Sequence, residues 1–152
     1  GLGARVTVLS RSADKQADAL ALGAAGLLVS TDAAAMAAAA SSFDLIIDTV
    51  PARHDLKPYV PLLDIDGTLV IVGKVGPVDE PDTTPLLLGR RRIAGSLIGG
   101  LAETQELLDF CAAKSILPDC ETIRMDEINH AYERMERSDV RYRFVIDMAS
   151  LA

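Results

Sequence analysis

Short aliphatic runs recur along this chain, each closed by polar residues or glycine and each followed by a helical stretch. Val6–Ser10, Gly26–Ser30, Asp44–Val50, Thr68–Val72, Arg92–Ile98 and Arg143–Asp147 read as strands. Between them, helices are expected from Ser12 to Leu22, with Gly23 as a stop, and from Thr31 to Ser42. Others are expected from Pro51 to about Leu63, from Thr84 to Arg90, from Gly100 to about Lys114, and over Glu127–Arg137 behind an Asp126 cap. Strands that alternate with helices build a parallel sheet, because a parallel partner needs a crossover connection. Strands of four to six aliphatic residues suit burial on both faces. The expected class is therefore α/β, with a doubly wound parallel sheet.

Composition agrees with that layering. Apolar residues make up 49% of the 152 positions, aromatics only 4%, and tryptophan is absent, so the core is aliphatic. A net charge of −7 argues against a general nucleic-acid or anionic-membrane binder. No run approaches ~18 apolar residues, as a membrane span requires. The first residues lack a signal-peptide pattern, and the cytoplasm is the default compartment. Cys111 and Cys120 fit no common zinc spacing and read as reduced thiols. His54 and His130 have no serine or cysteine nucleophile beside them and read as surface or helix-end residues. No metal ligand set and no catalytic residue can be assigned. Asp64, Asp66 and the Asp79-Glu80 pair read as solvated charges, and Arg90-Arg91-Arg92 as a run facing solvent or a partner.

In a parallel α/β sheet, ligands bind beyond the carboxyl ends of the strands. Ser10–Lys15, Thr49-Val50, Val72–Lys74 and Ser96–Ile98 all occupy such ends. At the second strand of a Rossmann sheet, an acid selects NAD through the ribose 2′-hydroxyl, whereas an arginine suits the 2′-phosphate of NADP. Here the strand ends in Ser10, and Arg11, Ser12 and Lys15 follow. Arginine grips phosphate as a fork and lysine as a point charge, and a helix starting near Ser12 would add free N–H groups. The alternative is a capped helix carrying solvated basic residues. Gly1-Leu2-Gly3 imitates a phosphate turn but precedes a strand instead of following one, so Gly3 reads as the end of a helix. The first strand and the glycine-rich turn are expected upstream of Gly1. In the order 3-2-1-4-5-6 that strand is central. Its absence would expose two edges and leave the chain alone poorly stable.

Several segments together resemble zinc-dependent medium-chain alcohol dehydrogenases, most closely the cinnamyl-alcohol-dehydrogenase-like branch. They are Val6–Ser12 with Lys15, Leu20-Ala21-Leu22-Gly23-Ala24, Asp44–Val50, Asp66–Gly73, Arg92–Gly99 and Arg141–Asp147. The resemblance covers nearly the whole chain. It implies an incomplete Rossmann NADP-binding domain over 1–140 and a strand over 141–152 that returns toward a separate catalytic domain. It implies an NADP(H)-dependent enzyme that interconverts primary alcohols and aldehydes. By the resemblance, Ser10, Arg11, Ser12 and Lys15 would hold the 2′-phosphate, and Thr49 and Val50 would line the adenosine side. Val72, Gly73 and Lys74 would run by the nicotinamide ribose. Ser96, Leu97 and Ile98 would meet the carboxamide, and Arg143 would reach the pyrophosphate. The catalytic zinc of the full-length enzyme takes its ligands from the other domain, so this chain alone would lack dehydrogenase activity. The family commonly dimerises edge to edge, here through Arg92–Ile98. A zinc-free quinone or enoyl reductase, or a non-catalytic NADP-sensing module, remains open at this point.

Overall fold

The computed structural model describes residues 1–77, 82–137 and 139–151; Asp79 and Glu80 lie outside them. The chain divides into two compact units, Leu2–Ile98 and Gly99–Ala152, the latter with Gly1. No helix among the described residues is long and apolar enough to cross a membrane.

The larger unit follows the expected alternation: β1 (Thr7–Ser10), α1 (Gln16–Ala21), β2 (Gly26–Val29), α2 (Ala33–Ala38), β3 (Phe43–Asp48), β4 (Leu63–Ile71), α3 (Thr84–Gly89) and β5 (Arg92–Gly95). All its strand pairs are parallel. They form two sheets, β1-β2 and β3-β4-β5. These correspond to strands 2-3 and 4-5-6 of the doubly wound order, and the interruption falls where the central strand would lie. Met36, Ile46, Leu62, Leu63 and Leu69 form the buried core, with Leu9, Leu28 and Phe43 packed against it. The aliphatic composition is used as expected, in layers of helix on sheet.

Burial on both faces is not reached. In β3, Ile46 is 5% exposed but Leu45 and Ile47 are 52% and 57% exposed, and Val6 beside β1 is 52% exposed. These side chains border a cleft of about 930 Å³ lined by residues 4–9 and 42–50 with Leu56, Tyr59 and Leu69. One face of β3 therefore lacks a covering layer.

Three local expectations need correction. The first helix starts at Gln16, a turn later than Ser12. Ser12 instead donates its hydroxyl to Asp14 Oδ2 at 2.9 Å, a local side-chain bond of the kind that competes with helix initiation. No α-helix follows Pro51; the segment has only the 3₁₀ turn Val60–Leu62. Pro51, Pro58 and Pro61 remove the N–H groups a helix there would need. Asp66 is neither a simple turn residue nor a solvated charge. It lies inside β4 with φ at 63°. Its carboxylate accepts from Arg90 Nε at 3.0 Å, and its carbonyl accepts from Arg92 Nη1 at 2.9 Å. The Arg90 hydrogen bond holds the Asp66 carboxyl below its ordinary range. In the basic run, the Arg90 and Arg92 side chains are 71% and 61% exposed, as expected, while Arg91 donates to Ser41 Oγ at 3.1 Å.

The smaller unit contains α4 (Leu101–Ala113), β6 (Glu121–Arg124), α5 (Ile128–Glu136) and β7 (Phe144–Asp147). The pattern of the sequence does not mark β6, whose half-covered residues mix polar and apolar types. It pairs in parallel with β7, Thr122 opposite Val145 and Ile123 opposite Ile146, across the α5 crossover. Arg134 on α5 ties this unit together. It donates to Glu121 Oε2 at 2.8 Å and to Asp139 Oδ2 at 3.0 Å, and its guanidinium lies 4.8 Å from the Phe144 ring centre.

Two predictions follow from these arrangements. In the 152-residue chain by itself, amides across Val6–Leu9 should exchange hydrogen quickly, because β1 is paired on one side only. Strong protection there would contradict the open edge. In the smaller unit, the hydrogen bonds of Arg134 hold the Glu121 and Asp139 carboxyls below their ordinary values. The stabilisation they lend is complete above the ordinary carboxylate range and is lost as pH falls through the lowered values. Protection factors at Thr122 and Ile123, exchange corrected for its intrinsic pH dependence, should therefore fall below about pH 4. Arg134→Ala should lower them at neutral pH; protection factors unmoved by acid or by the substitution would refute the tie.

Candidate functional site

Parallel pairing brings the carboxyl ends of β3, β4 and β5 to the same end of one sheet. Ile47 pairs with Val70 and Asp48 with Ile71, so Thr49-Val50 and Val72-Gly73-Lys74 leave the sheet side by side. Ile71 pairs in turn with Gly95, and Ser96 donates its N–H to the Ile71 carbonyl at 3.0 Å. Ser96, Leu97 and Ile98 thus depart from the same end and are exposed.

The first two of these ends are locked together. The Asp48 carbonyl accepts from the N–H groups of both Val72 and Gly73, at 2.9 and 3.0 Å. The Asp48 carboxylate accepts from the Val50 N–H at 3.0 Å. A Cβ on Gly73 would stand 2.6 Å from the Val50 carbonyl oxygen and 2.8 Å from the Thr49 carbonyl carbon. Only glycine allows that approach of one backbone to the other. The sequence marks Gly73 as a strand stop, and the structure gives the stop its reason.

At the end of β1, Ser10 is half-buried, whereas Arg11, Ser12 and Lys15 are exposed. The Arg11 carbonyl accepts from the Thr31 hydroxyl at 2.9 Å, which steadies the turn from the side of β2. The free helical N–H groups expected at Ser12 are not there, since α1 begins later and is short. What remains is a donor set of one guanidinium, one ammonium and two hydroxyls on a short turn, chemistry that fits a phosphate. Asp14 adds an opposing charge, and the Ser12 hydroxyl now points to it. Arg143 belongs to the smaller unit, just before β7, where it is exposed and its carbonyl accepts from the Glu121 N–H at 2.9 Å. Twelve of the thirteen expected contact residues thus lie in the Leu2–Ile98 unit at carboxyl ends of strands, and Arg143 belongs to the other unit.

His54 departs from its sequence reading. It sits neither at a helix start nor on the open surface. Its Nε2 is 3.1 Å from Asp48 Oδ2, with the side chains 24% and 8% exposed. His130 is exposed on α5. Among the described residues, no group of three His, Cys, Asp or Glu side chains is placed to hold a metal ion. A zinc centre does not fit the side chains of the described residues.

Comparison with known proteins agrees with the sheet order. Residues 1–113 match the family described as zinc-binding dehydrogenase. Cinnamyl alcohol dehydrogenase 2 of Oryza sativa subsp. japonica is 50% identical over 149 residues, 97% of this chain and 41% of that protein. A probable formaldehyde dehydrogenase of Bacillus subtilis is 51% identical over 150 residues, 99% of this chain and 43% of that protein. Among solved structures, a cinnamyl alcohol dehydrogenase from Sorghum bicolor superposes with a TM-score of 0.87 at 46% identity, covering 95% of this chain and 41% of that one. A Helicobacter pylori enzyme of the same name, complexed with NADP(H), gives 0.79 at 35% identity, covering 97% and 42%. The chain spans about two-fifths of the length of these relatives. With its split parallel sheet, its rim of strand ends and a match across most of its length, the chain belongs to the zinc-binding dehydrogenase family.

Proposed function

We propose that this chain is the cofactor-binding part of an NADP(H)-dependent alcohol dehydrogenase that interconverts primary alcohols and aldehydes. The observation that carries the reading is the turn after β1, where Arg11, Lys15, Ser10 and Ser12 stand in place of the acid that selects NAD. The relatives named cinnamyl alcohol dehydrogenase, one of them complexed with NADP(H), support it. Residues 1–140 are read as the cofactor domain without its first strand, and 141–152 as the strand that returns toward the catalytic domain.

NADP(H), when bound, supplies the hydride acceptor and donor. The chain's own residues bind and orient it. Arg11 is the one side chain in the turn able to fork onto a phosphate, with Lys15 adding charge and the two serines adding donors. Thr49 and Val50 line the adenosine side. Val72, Gly73 and Lys74 pass the nicotinamide ribose, and backbone groups of Ser96, Leu97 and Ile98 set the carboxamide and with it the face presented for transfer. Arg143 is assigned to the pyrophosphate. Zinc belongs to the full-length enzyme, and its ligands are assigned outside this chain. The enzyme is read as cytoplasmic and as a homodimer through the outer edge of β5 in Arg92–Ile98. Among the described residues that strand pairs only with β4.

The test is cofactor preference in the full-length protein. kcat/KM should favour NADPH over NADH by at least about a hundredfold, the worth of two charge-assisted hydrogen bonds. Arg11→Ala should lower the NADPH value by about tenfold or more while leaving NADH nearly unchanged. A wild-type preference for NADH would overturn the assignment of Ser10–Lys15.

A further inference from the structure

Asp48 is a buried acid at the rim of a cofactor site, and its four contacts do different things. Its carbonyl holds the end of β4, and Oδ1 holds the Val50 N–H. Oδ2 is buried and has no aligned hydrogen-bond donor among the described residues. What stands beside it is His54 Nε2 at 3.1 Å, close enough for a charge pair but off the direction of a hydrogen bond. The other ring nitrogen, Nδ1, is 2.8 Å from the Ala52 carbonyl oxygen. Both ring nitrogens therefore face oxygen atoms, Nδ1 the Ala52 carbonyl and Nε2 the Asp48 carboxylate. The Tyr59 ring meets the imidazole edge-on, 6.1 Å between centres, and limits its movement.

We propose that His54 is a positioning residue of the cofactor site. Lying against Asp48 Oδ2 at 3.1 Å, it closes the loop Asp48–His54 and holds the Thr49-Val50 turn in its binding shape. This rests on the cofactor reading above, because Thr49 and Val50 are assigned there to the adenosine side. The physical reason is the cost of a buried carboxylate oxygen with no polar neighbour. Without His54, Asp48 relieves that cost by turning outward to water. That change weakens its grip on Val50 N–H, and the turn loosens. Gly73 then loses the packed neighbour it approaches most closely. Among the described residues, the polar and ring contacts of His54 run to Asp48, Ala52 and Tyr59 and not to the strand ends assigned to the nicotinamide. Its effect should fall on cofactor binding and spare the chemical step.

The experiment measures cofactor Kd without substrate, by the fluorescence of bound NADPH, together with cofactor KM and kcat, in the full-length protein for His54→Ala, His54→Gln, Asp48→Asn and the double substitution Asp48→Asn with His54→Ala. His54→Ala should raise the cofactor Kd and KM about tenfold and keep kcat within about twofold. The factor should be the same for NADPH and NADH, because the turn that selects between them is on β1. His54→Gln, which keeps a polar N–H-bearing side chain beside Asp48, should recover most of the loss and also guards against an alanine variant that does not fold. Adding Asp48→Asn to His54→Ala removes the buried charge and keeps an acceptor for Val50, so it should restore KM to within about threefold. An unchanged KM in His54→Ala would overturn the proposal. So would a fall in kcat at constant KM, or a double substitution as weak as His54→Ala. A wild type that binds neither dinucleotide overturns the cofactor reading itself. A wild type that binds one, with His54→Ala binding it equally well, overturns only the role of His54.

Discussion

The pairing of β3 with β4 sets the geometry on which everything at the site depends. Leu45, Ile46, Ile47 and Asp48 run in register with Thr68, Leu69, Val70 and Ile71. Because the strands are parallel, both chains leave the sheet at the same end. Asp48 then acts twice, through a carbonyl that receives the two N–H groups following β4 and a carboxylate that receives the N–H of its own turn. Gly73 permits the resulting approach, since any larger residue would collide with backbone that cannot rotate away. β5 adds a third end by pairing with the same strand. Specificity at such a rim comes from what the turns carry, while its shape comes from the hydrogen-bond ladder beneath it.

The gap between β1 and β3 has the opposite character. A doubly wound sheet draws its stability from central strands covered on both faces. Here two strands present bare edges to each other across a cleft, and Leu45, Ile47 and Val6 are half-exposed along it. Helices cannot compensate, because α1 and α2 are each six residues long. The core that remains is small and aliphatic, and it joins the two sheets through Leu9 and Leu28 on one side and Ile46 and Leu69 on the other. Shape is conserved by this packing even though the ladder is interrupted.

Most of this was legible in the residues. The strand ends could be found because short aliphatic runs closed by Ser, Thr or Gly have one reading in an alternating pattern. That put Ser10, Thr49, Val72 and Ser96 at the carboxyl ends of strands, where the structure has them. Legibility failed where long-range charge replaced local propensity. Asp66 looks like a turn residue from Asp-Gly alone, yet two arginines more than twenty positions away hold it inside a strand. β6 is short, half-covered and mixed in polarity, and only its partner β7 makes it a strand. The proline-rich segment after Pro51 was open to reading but was credited with a helix that three missing N–H groups forbid. His54 differs from its reading for a local reason, a turn that folds it back onto Asp48 where a helix was expected. The available signal was a buried strand ending in an acid, with a histidine six residues on, where the chain has room to turn back.

That signal also explains why the acid lies where it does. A carboxylate in the middle of β3 would meet only aliphatic neighbours and would cost several kcal/mol. At the last position of the strand it is still screened from water, but the chain that follows is free to fold back over it. The strand supplies burial, the turn supplies an N–H, and the loop supplies a ring with two nitrogens to satisfy. An asparagine would accept from Val50 equally well and would require no counter-charge. The acid instead makes the shape of the turn depend on a residue beyond it. A turn held only by its own local hydrogen bond is free to open whenever water competes for that N–H. A turn whose acid also stands against a half-buried imidazole opens only if both polar groups are rehydrated together.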